Sequence, residues 1–413
     1  MTLTTLEILR RQYLSLYPLY LISFPAPSLL ADPQSQEYLI DKLLGESHQP
    51  ENEYRRKFWR RVVESMEIGL KELESQLEFS QEDRDESEID ERFYDLLTNL
   101  MVTNDANANG EAGPSSSGPK TTYRTLIYDK PRSPNYPLKD TNTSTNDHDF
   151  EHRIDGDSDI DEDKIVLLEE QIAIQAGTTG LRTWTAALHL AHQILRHPHL
   201  IFYGSDSFYR GILELGAGTG FLSILFAQLG ADVISTDLGI ESDAKSADEI
   251  DIEQHHEENG ESRTPLGRLK CNVDLNSISE RVSVKALDWT DASLLPEERP
   301  SIWSKLVEER RTIVAADVIY DPDLVPPLVN TIRVLLEDDG QNQAIISATV
   351  RNQETFDKFL ITCGQHRLQV SFIEVPAMNG NGDDVRACPT FWDSALDKGT
   401  EVKIMRITKR RRL

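Results

Sequence analysis

Cysteine is scarce in this chain, and the three present, Cys271, Cys363 and Cys388, stand far apart, with no C-x-x-C pair and no histidine spacing suited to zinc. A disulfide framework and a bound metal are therefore not expected, and the composition fits a reducing compartment. Basic residues are in deficit: 43 Lys and Arg stand against 70 Asp and Glu, a formal charge of -27. Affinity for a phosphate backbone rests on clustered Lys and Arg, so direct nucleic-acid binding is disfavoured and a basic protein partner favoured. Long apolar runs are missing too, none approaching the ~20 residues that span a bilayer. The segment from Tyr13 to Ala31 follows Arg10 and Arg11 as in a signal peptide, but Pro18, Pro25 and Pro27 interrupt it and no A-x-A site follows. Neither secretion nor membrane insertion is expected.

At 413 residues the chain exceeds one typical domain. Apolar residues recur near period 3.6 at Leu3, Leu6 and Leu9 to Leu14, at Tyr38, Leu39, Leu43 and Leu44, at Phe58, Trp59, Val62, Val63, Met66 and Leu70, and at Phe93, Leu96, Leu97 and Leu100. Residues 1–102 are accordingly expected to form a small helical domain. From Thr103 the composition turns to Asn, Gly, Pro and Ser, and residues 103–163 are expected to be a linker carrying an acidic insertion, Asp147 to Asp163. A second acidic insertion falls within 240–263. The basic end, Lys409 to Arg412, is read as a solvated tail rather than a nuclear signal.

Residues 164–413 alternate apolar and amphipathic runs. Strands are expected at Ile212–Leu215, Val233–Thr236, Val282–Ala286, Thr312–Ala316, Ala344–Val350, Gln369–Val375 and Glu401–Ile407, and Tyr123 to Tyr128 has the pattern of one more. Helices are expected at Thr185–Leu195, Gly220–Leu229, Leu266–Leu275, Leu324–Leu336 and Gln353–Cys363. Such alternation implies an α/β fold with a parallel sheet covered on both faces.

The strongest local feature is the apolar strand Ile212–Leu215 running into Gly216-Ala217-Gly218-Thr219-Gly220 and then a helix. Glycines here permit a tight turn and close backbone approach to a ligand at a helix N-terminus. Dinucleotide folds place G-x-G-x-x-G in the same setting, whereas the spacing here is G-x-G-x-G with Glu214 two residues ahead. S-adenosylmethionine lacks a pyrophosphate and carries a sulfonium and an ammonium, so Glu214 suits it. Asp237, ending the next strand, is placed to accept ribose hydroxyls, as it would in an NAD enzyme. Asp288 and Trp289 follow the strand at 282–286 and suit an adenine amine and ring face, core packing being the alternative for Trp289. After Thr312–Ala316, with the small Ala316 leaving room for a cofactor, come Asp317 and Tyr320. Lysine methylation needs a neutral, aligned amine; Asp317 can hold and orient it and Tyr320 can wall the channel, while the alternative is that Asp317 caps the following helix and Tyr320 packs on it.

With these residues in view, the chain resembles the seven-β-strand, class I methyltransferases with a Rossmann-like fold, and among them the protein-lysine methyltransferases with a D-x-x-Y motif, matched by Asp317 to Tyr320. Within them it more closely resembles the eukaryotic elongation factor 2 lysine methyltransferases, in Gly177-Thr-Thr-Gly-Leu-Arg-Thr-Trp184, Leu287-Asp-Trp289, Ala315-Ala-Asp-Val-Ile-Tyr320 and Thr349-Val-Arg-Asn352. The resemblance implies S-adenosylmethionine as cofactor, Trp184 enclosing it, Asp317 and Tyr320 in catalysis, an N-terminal extension that helps choose the substrate, elongation factor 2 as partner, and a cytoplasmic enzyme. A methyltransferase for another protein or a small molecule, and a protein of this fold that only binds, remain alternatives; a dehydrogenase lacks its glycine spacing here.

Overall fold

The computed structural model describes residues 4–77, 88–106, 121–130, 162–170, 181–202, 211–239, 264–337, 342–375, 390–394 and 401–410. Residues 147–161 of the first acidic insertion, the second insertion, Thr179 and Gly180, Cys388 and residues 411–413 lie outside them.

Two compact units divide the chain. The first takes most of its residues from the N-terminal part. Helix α1, Thr5–Leu14, opens on a reciprocal cap in which Thr4 and Glu7 satisfy each other's backbone N–H groups. Helices α2, Pro27–Ala31, and α3, Pro33–Leu39, each begin on a proline, which needs no N–H partner in the first turn. The long α4, Asn52–Leu77, and α5, Glu91–Ala106, complete the helical set. The expected stripes do close on one another: Leu9, Tyr13, Phe58, Trp59, Val62, Met66 and Phe93 share one core, with the Trp59 indole N–H donating to the Tyr13 hydroxyl at 3.2 Å.

Strands β1, Thr121–Asp129, and β2, Glu162–Glu170, pair as a two-stranded sheet. Thus the span expected as linker contains a strand, and the first unit extends beyond residue 102 to include residues 121–127, 166–170 and 390–394. One buried cation links these segments, beside the packing of Ile127 and Trp392 on the helical core. Arg124 donates to the Asp393 carboxylate at 2.8 Å and to the Ser15 carbonyl at 3.0 Å, with Glu169 at 3.8 Å. Burial alone would make the guanidinium easier to deprotonate, and the two carboxylates more than reverse that. Stranding such a charge is costly, so Asp393→Ala should lower stability by about 3 kcal/mol in denaturant unfolding. A change below about 0.5 kcal/mol would mean that Glu169 suffices.

The second unit is built on a seven-stranded sheet. Its strands are β3, Ile212–Leu215; β4, Val233–Asp237; β5, Val282–Ala286; β6, Thr312–Ala316; β7, Ala344–Thr349; β8, Leu368–Phe372; and β9, Val402–Lys409, in the spatial order β5-β4-β3-β6-β7-β9-β8. Strands β3 to β7 pair in parallel, and their central members are buried along nearly their whole length, which is why they read as largely apolar runs. The parallel sheet expected from the alternation extends over β3 to β7, and β9 adds to it by running antiparallel to both β7 and β8. At the edges, β5 and β8 alternate buried with more exposed residues, and β8 ends at Phe372 rather than Val375.

The helices that position the site are α6, Thr185–Arg196; α7, Pro198–Ile201; α8, Phe221–Gln228; α9, Pro265–Leu275; α10, Ser301–Glu309; α11, Val325–Leu335; and α12, Gln353–Gln365. A continuous core of Leu213, Leu215, Ile313, Ala315, Val329, Ile332, Ile346 and Phe359 holds sheet and helices together. Chain order reverses between β3 and β6: β4 and β5 extend to one side, β7 to the other. Open α/β sheets bind ligands outside the strand ends at such a switch point.

Candidate active site

The glycine turn lies at that point. Gly216, Gly218 and Gly220 have φ of +64°, +55° and +80°, a region that glycine enters without the Cβ penalty. At Gly216 a side chain would also meet crowding, since a Cβ would stand 3.0 Å from Val318 and 3.3 Å from the Trp289 ring. The turn is tied to β4 twice. Ala217 N–H donates to the Thr236 carbonyl at 2.9 Å, and Gly218 N–H donates to Asp237 Oδ2 at 2.7 Å.

A cavity of about 410 Å³ opens over the turn. Into it the fold brings Trp184, Glu214, Gly216, Ala217, Gly218, Asp237, Asp288, Trp289, Ala316, Asp317 and Tyr320. Eleven residues selected for chemistry along 137 positions of sequence thereby share one wall. The twelfth, Gly220, does not line the cavity. It caps α8, and a Cβ there would stand 2.5 Å from Leu269 Cδ1, so its glycine serves the packing of α8 against α9.

Glu214 is buried beneath the turn, hydrogen-bonded by the Ser223 hydroxyl, which lies 2.7 Å from that of Ser235. Burial is the main cause that pushes its pKa up to about 8, against the lowering effect of Ser223 and with a smaller rise from Asp237. A carboxyl group raised this far is mostly a neutral acid at pH 7 rather than the carboxylate expected from sequence. Burial also raises the pKa of Asp237, while the Gly218 and Leu238 N–H groups pull it down. Those two bonds fix the Asp237 carboxylate, one to each oxygen, where it lines the cavity.

Asp288 has two tasks. Its Oδ1 accepts the Thr290 N–H and hydroxyl, each at 2.8 Å, starting a short 3-10 turn over Trp289–Ser293, while Oδ2 accepts no bond among the described residues. The Trp289 ring lies beside Gly216, lines the cavity and packs against the core, so core packing and a place on the cavity wall are not exclusive.

Asp317 sits just beyond β6 at φ +55°, uncommon for a non-glycine residue and characteristic of backbone held by its surroundings. Its N–H donates to the Ser347 carbonyl at 2.8 Å. Its side chain, 2% exposed, accepts the Thr349 N–H at 2.9 Å, the Thr349 hydroxyl at 3.2 Å and Arg351 Nη2 at 3.0 Å. A long 3.4 Å bond from Ala186 N–H joins it to the first turn of α6. Asp317 thus does not cap the helix that follows it. Tyr320 is 45% exposed at the cavity rim rather than packed away.

Sequence reasoning gave no role to Arg351, Thr349 or Ser223. Arg351 and Thr349 stand in a quoted motif, and their relation to Asp317 follows from β7 lying beside β6, a pairing that linear spacing does not express. Ser223 is one helical turn past Gly220, where a polar residue amid Phe221, Leu222, Ile224 and Leu225 is the signal of a buried partner.

Comparison with known proteins covers this same region. A model of the lysine methyltransferase family matches residues 161–366. Protein-lysine N-methyltransferase EFM3 of Chaetomium thermophilum is 32% identical over 210 residues, covering 50% of this chain and 54% of the relative. The protein of the same name from Saccharomyces cerevisiae is 25% identical over 260 residues, covering 60% and 67%. Human protein-lysine N-methyltransferase EEF2KMT is 30% identical over 206 residues, covering 49% and 54%. The chain therefore spans about half to two-thirds of the length of the curated relatives it matches. Residues 161–366, the segment that carries the cavity, thus match the lysine methyltransferase family.

Proposed function

We propose that the protein is an S-adenosylmethionine-dependent protein-lysine N-methyltransferase acting on elongation factor 2 in the cytoplasm. The observation that carries the reading is the gathering of Glu214, Asp237, Asp288 and Asp317, from four adjacent strands or their ends, around one cavity with two indole rings. Of the basic side chains, Arg182 lines this cavity. The carboxylates suit a cationic nucleoside and would repel a diphosphate, and the close-approach backbone at Gly216 and Gly218 suits a compact ligand. Asp237 would take the ribose hydroxyls, Asp288 Oδ2 the adenine amine, Trp289 the ring face, and Glu214 the ammonium; Trp184, Ala217 and Ala316 would close the remaining walls. When bound, the cofactor supplies an electrophilic methyl group.

The catalytic roles fall to Asp317 and Tyr320. Asp317, held from behind by Thr349, would orient the lysine nitrogen, and Tyr320 at the rim would flank its aliphatic stem. Free lysine has a pKa of about 10.4, so the site must accept the amine after its proton has gone to water. Elongation factor 2 as substrate rests on the motif resemblance and on relatives bearing the name EEF2KMT. The helical unit, with its own core, is the natural place for substrate selection.

The test is incubation of the purified protein with methyl-labelled S-adenosylmethionine and elongation factor 2, followed by separation of protein from small molecules. The proposal expects label on one lysine of the factor. Label confined to a metabolite, or to another protein in a mixture, would replace the substrate while keeping the donor.

A further inference from the structure

The carboxylate placed to meet the substrate lysine already has a cation beside it. Arg351 Nη2 lies 3.0 Å from Asp317 Oδ2, and its guanidinium carbon lies 4.9 Å from the centre of the Trp184 ring, an ion pair and a cation–π contact made by one side chain. Arg351 remains 43% exposed, whereas Asp317 is buried. Oδ2 carries three of the four hydrogen bonds given to Asp317, so the acceptor position left over is on Oδ1, beside the Thr349 N–H.

This arrangement bears on a chemical difficulty. The lysine arrives as an ammonium, and a buried carboxylate alone would hold it in that unreactive form by favouring the charged state. A guanidinium keeps its charge at any working pH and offsets the carboxylate, leaving an acceptor without net charge. The other ionisable groups on the cavity wall are Arg182 before α6, Glu214 from β3, Asp237 from β4, Asp288 after β5 and Tyr320 after β6. On the neighbouring elements, Glu401 and Lys403 of β9 and its approach pair with each other at 2.7 Å, and Glu354 opens α12.

We propose that Arg351 is a positioning residue for methyl transfer, neutralising Asp317 so that the substrate lysine is held as an amine, and bracing Trp184 against the same carboxylate. The ammonium proton leaves to water. The nitrogen lone pair then forms the new N–C bond, and the electron pair of the broken S–C bond stays on sulfur. The inference rests on the lysine reading of the site.

The test compares wild type, Arg351→Met and Arg351→Lys over pH 6.5–9.5. Methionine keeps an apolar stem and removes the charge. Its kcat at pH 7 should fall at least about tenfold and recover as pH rises, with the rate midpoint moved up by about one unit. Affinity for elongation factor 2 at pH 7, read by calorimetry with S-adenosylhomocysteine present, should hold or tighten, because the ammonium gains an uncompensated partner. Lysine should keep the wild-type midpoint. A Met variant slowed equally at every pH, or weakened in factor binding, would overturn the role of Arg351 and leave lysine methylation standing. Absence of transfer by the wild type would overturn both.

Discussion

Asp317→Asn should lower kcat for methyl transfer by about 10²- to 10⁴-fold, the range for removing a group that handles a proton or orients a nucleophile. Asparagine is the informative replacement because, like aspartate, it tolerates the left-handed backbone observed at φ +55°, whereas alanine would add strain. Its amide oxygen can still accept the Thr349 N–H, so the link between β6 and β7 survives. The negative charge is lost, and with it the anion that faces Arg351. Cofactor affinity, read by calorimetry, should change little, since the donor pocket is assigned to Glu214, Asp237, Asp288 and the glycine turn. A variant with near-wild-type kcat would remove Asp317 from the chemistry.

The second large effect is a pH dependence of cofactor binding set by Glu214. Its pKa in the folded chain is about 8 against an ordinary 4.5, so between those values the folded state holds a proton that the unfolded state has released. With this sign its contribution to stability is full below about pH 4.5 and declines as pH rises toward 8. Binding a cation has the opposite preference, because the carboxylate is the favourable partner. Affinity for S-adenosylmethionine should therefore fall about tenfold between pH 7 and pH 6, with a proton released on binding. Glu214→Gln should flatten this dependence. A wild-type affinity constant across pH 6–8.5 would show that the ligand does not draw on the charge of Glu214.

Much of the second unit is legible in the sequence because its central strands are buried on both faces. Ile212–Leu215 and Thr312–Ala316 stand out as apolar runs whose limits match the structure. The acids that line the cavity stand at the ends of such runs, and a parallel sheet carries those ends to one edge. Where pairing or distant contact decides, the sequence is silent. The reversed direction of β9 is a property of its partners β7 and β8, since its own residues alternate as in many half-buried strands. Residues 390–394 join the helical unit through Arg124 meeting Asp393 across 269 positions and through Trp392 packing on Tyr17. Gly220 belongs to the motif by spacing and to helix packing by contact, a distinction that appears only once Leu269 is beside it. Glu214 lines the cavity, as its place two residues before the glycines suggests, whereas its raised pKa comes from burial, a property of the folded neighbourhood.

The central claim, that this cavity seats the methyl donor and that Asp317 faces the substrate, is tested most directly by calorimetric titration of S-adenosylmethionine into wild type, Gly218→Arg and Asp317→Asn. Gly218 lines the cavity at φ +55°, so an arginine there adds bulk, charge and backbone strain at once, and matched thermal unfolding would show that the fold persists. The account predicts saturable binding by the wild type and by Asp317→Asn, and none by a folded Gly218→Arg. Binding that survives Gly218→Arg undiminished, or a wild type that does not bind the donor, would contradict it.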